Sequence, residues 1–325
     1  MNEPCEPATL LSQKQTQTFL KDVIEGLSEH PKKLSSKYFY DKKGDRLFQE
    51  IMAMPEYYLT QCELDIFKNK TRELSDAIGV SASFDLIELG AGDAMKSSFL
   101  LEHLCDLGSD FTYMPIDISG NILSVLKENL TQKIPALQIV PLEGDYFDML
   151  DKATQLSERR KVVLFLGGNI GNMTPDEALD FCRELRKRLS PGDLLLTGFD
   201  LKKNPHTILA AYNDDAGITA SFNLNLLERI NRELDADFQV EKFKHYQSYE
   251  PVSGACRSFL VSLEAQNVNI GNRMISFSEN ELIDMEISQK FSPDDIQNLA
   301  KESWFRIVHE VKDSRGWFVD SIWTV

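Results

Sequence analysis

The stretch Phe84-Asp85-Leu86-Ile87-Glu88-Leu89-Gly90-Ala91-Gly92-Asp93 most constrains what this chain can become. An apolar run ends in an acid and passes into a glycine-rich turn, and a helical pattern follows over residues 95–105. Physically this is a buried parallel strand, a tight turn that lets a ligand approach the backbone, and a helix N-terminus aimed at the turn. The first expectation is a nucleotide-type cofactor site, and the rest of the chain must supply its other walls.

The surrounding pattern alternates strand and helix. Residues 111–116 read as a strand ending in Asp117, 121–130 as a helix, and 137–142 as a strand followed by Glu143-Gly144-Asp145-Tyr146. Residues 161–166 form the next strand, followed by Gly167-Gly168-Asn169-Ile170-Gly171-Asn172. Thr174 then caps a helix, with Pro175 in its first turn and Glu177 completing a capping box. A further strand covers 193–199. This spacing predicts a parallel sheet covered on both faces. Upstream, 14–27 reads as an amphipathic helix with Phe19, Val23, Ile24 and Leu27 on one side, and 63–77 as a single helix. Beyond Asp200 the alternation breaks. Helices are expected over 205–212 and 223–234, then strands over 238–246, 257–263, 273–277 and 282–291, as an insertion with its own small antiparallel sheet. Ser292-Pro293-Asp294-Asp295 caps a helix to about Glu302, and 305–311 with 317–325 reads as an antiparallel hairpin added to the parallel sheet.

Three ligand classes share a glycine-rich turn after a strand. The dinucleotide fingerprint needs glycine or alanine at the sixth position, which here is Met95. The P-loop pattern is absent. S-adenosylmethionine-dependent methyltransferases resemble the chain in four places: the acid before a G-x-G turn (Glu88, Gly90, Gly92), the acid ending the second strand (Asp117), Gly144-Asp145-Tyr146 after the third, and a polar loop after the fourth. The chemistry fits. Asp117 can accept both ribose hydroxyls, Asp145 can accept from the adenine amino group, and Tyr146 can pack on the ring. The expected fold class is therefore α/β, a Rossmann-like class I S-adenosylmethionine-dependent methyltransferase, with an inserted α+β segment that the family resemblance below implies is a substrate-binding domain.

Composition narrows the acceptor. A formal charge of −16 disfavours a nucleic-acid or anionic-membrane partner, since phosphate binding is driven by Lys and Arg. No apolar run is long enough to span a bilayer, and the N-terminus lacks a charged-then-apolar signal pattern. Cys5, Cys62, Cys105, Cys182 and Cys256 are widely spaced, which suits reduced thiols in a cytoplasmic protein, and the histidines show no metal-ligand spacing. A small-molecule acceptor, no metal, no membrane and a monomer are expected.

A closer resemblance is carried by six ordered blocks: Lys37-Tyr38-Phe39-Tyr40-Asp41 with Gly44; Pro55-Glu56-Tyr57-Tyr58; Glu88-Leu89-Gly90-Ala91-Gly92 with Lys96; Phe165 to Asn172; Tyr212 with Asp214-Asp215-Ala216-Gly217; and Glu286-Ile287-Ser288-Gln289-Lys290-Phe291. Over nearly its whole length the chain resembles the histidine-specific N-alpha-methyltransferases of ergothioneine biosynthesis, the hercynine synthases. The resemblance implies that Gly90, Lys96, Asp117, Asp145 and Tyr146 contact S-adenosylmethionine. It implies that Tyr57, Gly167, Asn172, Tyr212, Glu286 and Ser288 contact L-histidine, with Tyr40 near the methyl acceptor. It also implies a methyltransferase core over 61–202 and 291–325, and a substrate-binding domain over 1–60 and 203–290.

Read from the residues alone, these positions have plainer alternatives. The tyrosines at 38, 40, 57 and 58 are packing residues or a lid over a polar small molecule. Glu286 and Ser288, two apart on a strand, share a face. They are solvated strand residues, or a carboxylate and hydroxyl that hold an imidazole by its two nitrogens. Asn172 is a turn residue or a ligand to an amino acid, and Tyr212 a buried helix residue or a ligand. Two departures from the family bear on side-chain preference. Leu59 and Gln61 stand where relatives have Pro and Arg, and Gly254-Ala255-Cys256-Arg257-Ser258-Phe259 stands where a methionine-containing strand is expected. The expected reaction is direct in-line methyl transfer to the α-amine, up to three times, with Glu286 selecting the imidazole. A methyltransferase for another amino acid or small amine, or a non-catalytic cofactor-binding module, are the competing readings.

Overall fold

The computed structural model describes residues 13–325. In chain order the elements are α1 (Gln13–Ser28), β1 (Lys32–Lys33), α2 (Lys42–Ala53), α3 (Tyr58–Asn69), α4 (Thr71–Ile78), β2 (Phe84–Leu89), α5 (Ser97–Asp106), β3 (Phe111–Asp117), α6 (Gly120–Lys133), β4 (Leu142–Glu143), α7 (Tyr146–Leu156), β5 (Arg160–Phe165), α8 (Pro175–Arg188) and β6 (Leu194–Asp200). Then come α9 (Pro205–Tyr212), α10 (Ile218–Leu234), β7 (Phe243–Tyr249), β8 (Ala255–Ser262), β9 (Gln266–Ile270), β10 (Arg273–Phe277), β11 (Leu282–Gln289), α11 (Pro293–Glu302), β12 (Arg306–Lys312) and β13 (Phe318–Thr324).

The chain divides into two units. One contains the described residues up to Tyr57, with Pro205–Tyr249 and Cys256–Ile287; the other contains Tyr58–Asn204, Glu250–Ala255 and Ser288–Val325. The sequence places the seams at 60/61, 202/203 and 290/291; the structure moves them by up to three residues and assigns the 250–255 turn to the larger unit. Cys5 lies outside the described residues. Among the described residues, no helix is long and apolar enough to cross a membrane.

The larger unit is built on a seven-stranded sheet in the order β12-β13-β6-β5-β2-β3-β4. β2 pairs in parallel with β3 on one side and β5 on the other, and every one of its residues is buried. A strand with both edges paired and both faces covered is mostly apolar, and its two acids are buried with partners, Asp85 with Lys161 and Glu88 with the Tyr113 hydroxyl. Chain order runs outward from β2 in one direction through β3 and β4, and from β5 in the other through β6. The carboxyl ends of β2 and β5 therefore flank the crevice where open α/β sheets bind ligands. The C-terminal hairpin closes the far edge, with β13 antiparallel to β6, as expected. Ile87, Leu89, Val163, Phe165, Leu195, Phe199 and Trp323 form part of the core between sheet and helices. Both capping boxes, at Thr174–Glu177 and Ser292–Asp295, are formed.

Several elements differ from expectation. The single helix over 63–77 is broken at Lys70, so the buried stripe shifts from Cys62, Ile66 and Phe67 to Leu74, Ser75 and Ile78. Lys70 Nζ instead donates to the Lys312 carbonyl at 2.6 Å. The strand over 137–142 is reduced to β4 and one bridge from Ile139 to Tyr113. Pro141 lacks the N–H that a continuous ladder needs. Helix α7 begins at Tyr146 of the Gly144-Asp145-Tyr146 motif, with Asp145 as its cap.

The smaller unit holds a four-stranded sheet, β1-β11-β8-β7, and a separate β9-β10 hairpin. One small antiparallel sheet was expected. β1 instead pairs parallel with β11, and β10 pairs with β9, whose polar sequence (Gln266, Asn267, Asn269) hid it. Phe19, Val23 and Leu27 of α1 pack with Phe39, Phe222, Leu226 and Ile230 in the core of this unit.

Candidate functional site

The glycine-rich turn leaves β2 at the crevice described above. Gly90 has φ +70°, and a Cβ there would lie 2.6 Å from the Tyr146 hydroxyl, so both backbone conformation and contact require glycine. Asp117, at the end of β3, accepts from the Gly92 amide at 3.3 Å and from the Ser119 amide at 3.0 Å. Its carboxylate thus ties the turn to the second strand and keeps acceptor capacity for hydroxyls. Asp145 caps α7 by accepting from the Phe147 amide at 3.0 Å, which holds its carboxylate at the same end of the sheet. The Tyr146 ring meets Phe165 edge-on, with centroids 6.1 Å apart. The phenol is pushed up by burial and by Asp117 and Asp145. Gly90, Asp117 and Tyr146 are thus brought together in one unit, with Asp145 beside Tyr146.

Lys96 stands just before α5, and its ammonium pairs with the buried carboxylate of Glu63 on α3. That carboxylate also accepts from the Gly167 amide, 2.9 Å from each oxygen. A Cβ on Gly167 would lie 3.6 Å from Lys96 Nζ, so the loop after β5 approaches the β2 turn. Two acids beneath this region carry perturbed carboxyls. Burial pushes Glu88 up to about 7, against hydrogen bonds from Tyr113 and Ser97 that lower it. Asp320, fully buried on β13, is pushed well above the usual carboxylate range by burial and then by the charge of Glu63. Desolvation disfavours the charged form in both.

Asn172 ends the short helical turn after β5, exposed, with its Nδ2 3.5 Å from Asn169 Oδ1. Ser288, near the end of β11, belongs to a buried polar network. Lys290 Nζ donates to Ser288 Oγ at 2.8 Å and pairs with Asp200 at 2.8 Å. Asp200 also accepts from the Tyr58 hydroxyl at 2.8 Å and pairs with Lys203, whose ammonium burial pushes down. Tyr58, Asp200, Lys203 and Lys290 were absent from the expected site residues. A charged residue at the end of an apolar strand (Asp200) and a lysine directly after a strand (Lys290) were the available signals.

In the smaller unit, Tyr57 and Tyr212 meet edge-on with centroids 6.0 Å apart, and Tyr212 is buried at the end of α9. Tyr40 is half-exposed and packs edge-on against Phe48 and Phe222, 5.5 and 5.8 Å away. Glu286 lies on β11 on the face opposite the buried Ile283 and Met285. His245 on β7 is pushed down to about 4 by burial, against the opposing charge of Asp214. In the 254–259 stretch, Arg257 pairs with Asp284 of β11.

The family described as histidine-specific methyltransferase, SAM-dependent, matches residues 19–325. The chain belongs to that family. An enzyme named histidine N-alpha-methyltransferase from Mycolicibacterium smegmatis is 34% identical over 92% of this chain and 92% of its own length. One of the same name from Mycobacterium tuberculosis is 34% identical over 84% of each chain. Ergothioneine biosynthesis protein 1 of Schizosaccharomyces pombe is 29% identical over 86% of this chain and 37% of its own length.

S-adenosylmethionine is accordingly the cofactor, and the crevice suits it. A Cβ on Gly92 would meet nothing within 4 Å, so the turn has open space on that side. The acids Asp117 and Asp145 favour a sulfonium cation and offer acceptors for hydroxyl and amino groups.

Proposed function

We propose that this protein methylates the α-amino group of L-histidine up to three times, yielding the trimethylhistidine (hercynine) of ergothioneine biosynthesis, in the cytoplasm. The observation that carries the substrate is the placement of Glu286 and Ser288 two residues apart on one face of β11. A carboxylate accepts from the N–H of an imidazole, and a hydroxyl serves the other ring nitrogen. The names of the relatives matched above support histidine over other amino acids. Cys62, Cys105, Cys182 and Cys256 form no disulfide, which suits a reducing compartment.

On this reading Asp117 holds the ribose, Asp145 and Tyr146 the adenine, and the Gly90 turn and Lys96 the amino-acid end of the cofactor. When bound, the cofactor supplies an electrophilic methyl group on a sulfonium. Tyr57, Gly167, Asn172 and Tyr212 fix the histidine amino and carboxylate groups, and the Tyr40 ring accommodates the ammonium as methyl groups accumulate. The amine gives its proton to solvent before each transfer to expose its lone pair; the N–C bond forms as the sulfonium C–S bond breaks, leaving S-adenosylhomocysteine, and orientation supplies most of the rate gain. The residues assigned to the cofactor all belong to the larger unit.

Mass spectrometry of a reaction with L-histidine and S-adenosylmethionine tests this. Mono-, di- and trimethylhistidine are expected in sequence. An inert histidine beside turnover of another amino acid or amine refutes the substrate. Glu286→Ala should lower kcat/KM for histidine by about 10- to 100-fold, the loss of one charge-assisted hydrogen bond, with S-adenosylhomocysteine affinity retained. An unchanged kcat/KM removes Glu286 from imidazole recognition.

A further inference from the structure

Glu63 is absent from the residues assigned above to cofactor or substrate, yet it is 1% exposed and joins two of them. Its carboxylate receives the Lys96 ammonium and the Gly167 amide together. Lys96 follows the turn that leaves β2, and Gly167 opens the loop that leaves β5. One side chain therefore ties together the two loops on either side of the crevice. The neighbouring strand is shaped to receive it. A side chain at Gly198 on β6 would run into Glu63 Oε1 and the Phe318 ring, so the absent side chain leaves a hollow for the carboxylate. Across the ladder from Gly198 stands the buried Asp320.

We propose that Glu63 is a positioning residue for the cofactor, holding the Lys96 ammonium in the arrangement that receives the cofactor's amino-acid end while its bond to the Gly167 amide fixes the carboxylate in place. This rests on the reading that Lys96 faces the cofactor. Lysine has a flexible four-carbon stem, and ordering it only at binding would cost affinity. A buried acceptor orders it beforehand. An ammonium has three donors, so engaging Glu63 leaves donors for an incoming carboxylate.

The test is calorimetric titration of S-adenosylhomocysteine, which carries the same amino-acid end without a transferable methyl. Glu63→Gln keeps an acceptor for the Gly167 amide but removes the charge that holds Lys96. Glu63→Gln and Lys96→Met should each weaken binding by about tenfold or more, the scale of a charge-assisted contact. The double variant should bind no more weakly than Lys96→Met alone. In turnover, the KM for S-adenosylmethionine should rise in Glu63→Gln while that for histidine stays, a split that general loosening of the fold would not produce. Wild-type affinity in Glu63→Gln beside a weakened Lys96→Met overturns the proposal alone. Wild-type affinity in Lys96→Met overturns the reading of Lys96 and the proposal with it. Additive losses in the double variant also overturn it, because Glu63 would then act without Lys96. If Glu63→Gln lacks a cooperative thermal transition, Glu63→Asp serves instead. It keeps the charge but retracts it by one carbon, and unchanged affinity there is equally refuting.

Discussion

Replacing Gly90 with alanine separates two reasons for glycine in the cofactor turn. The backbone there has φ +70°, a left-handed conformation that costs an L-residue about 1–2 kcal/mol. The added methyl would also lie 2.6 Å from the Tyr146 hydroxyl. Tyr146 starts α7 and packs on Phe165, so relieving that contact must disturb one or the other. Together the two effects should cost about 2–3 kcal/mol, read as a fall in thermal midpoint of several degrees. Without the hydroxyl, the next ring atoms stand 3.5 and 3.7 Å away, ordinary contact distances. Gly90→Ala/Tyr146→Phe should therefore regain the steric part and keep the conformational part. Thermal midpoints of the wild type, both single variants and the double variant form a cycle with a coupling of about 1 kcal/mol or more. S-adenosylhomocysteine titration of the same proteins reports the crevice itself, and Gly90→Ala should bind at least about tenfold more weakly. Strict additivity of the midpoints would refute the steric argument. A Gly90→Ala protein with unchanged midpoint and affinity would refute the requirement for glycine altogether.

Other expectations concern buried charge. His245 has a folded pKa of about 4 against 6.5 in the unfolded chain, so the unfolded state binds the extra proton first. Stability should fall as pH drops from 6.5 toward 4, by roughly 3 kcal/mol in all, and His245→Leu should flatten that part of the profile in urea titrations; an identical pH slope would remove His245 as the cause. At the Asp200 network, Asp200→Asn leaves the Lys203 and Lys290 ammonium groups without their shared carboxylate, whereas Lys290→Met leaves Asp200 still paired with Lys203 and Tyr58. Asp200→Asn should cost about 3–5 kcal/mol and Lys290→Met clearly less. The reverse order in denaturant midpoints would mean that Lys290, not Asp200, organises the network.

Much of the larger unit was legible because its signals are local. The short, mostly apolar run 84–89, closed by a glycine turn, reads as a covered strand, and Thr174-Pro175-Asp176-Glu177 and Ser292-Pro293-Asp294-Asp295 each state a helix start within four residues. Where reading failed, a nonlocal partner had decided. Lys70 ends α3 while its ammonium reaches the Lys312 carbonyl, and β9 is a strand through pairing with β10 despite its polar residues. The two-residue β1 exists only as a parallel edge to β11, far along the chain. Within the site, Gly90, Asp117, Asp145 and Tyr146 announced themselves by type and spacing at strand ends. Glu63 and Asp200 did not: as sequence they are an acid on a helix and an acid ending a strand, and their meaning comes largely from distant partners, Lys96 and Gly167 for Glu63, Tyr58 and Lys290 for Asp200.

The alternation of strands and helices, the glycine turn and the acids that follow it were thus determined by the sequence itself, since period, turn chemistry and capping act over a few residues. Tertiary structure decided which polar groups would be dry. Burial converts Glu63 from a helix residue into a shared acceptor for Lys96 and Gly167, and lifts the carboxyls of Glu88 and Asp320. Desolvation is a property of the whole packed neighbourhood, and no window of sequence contains it.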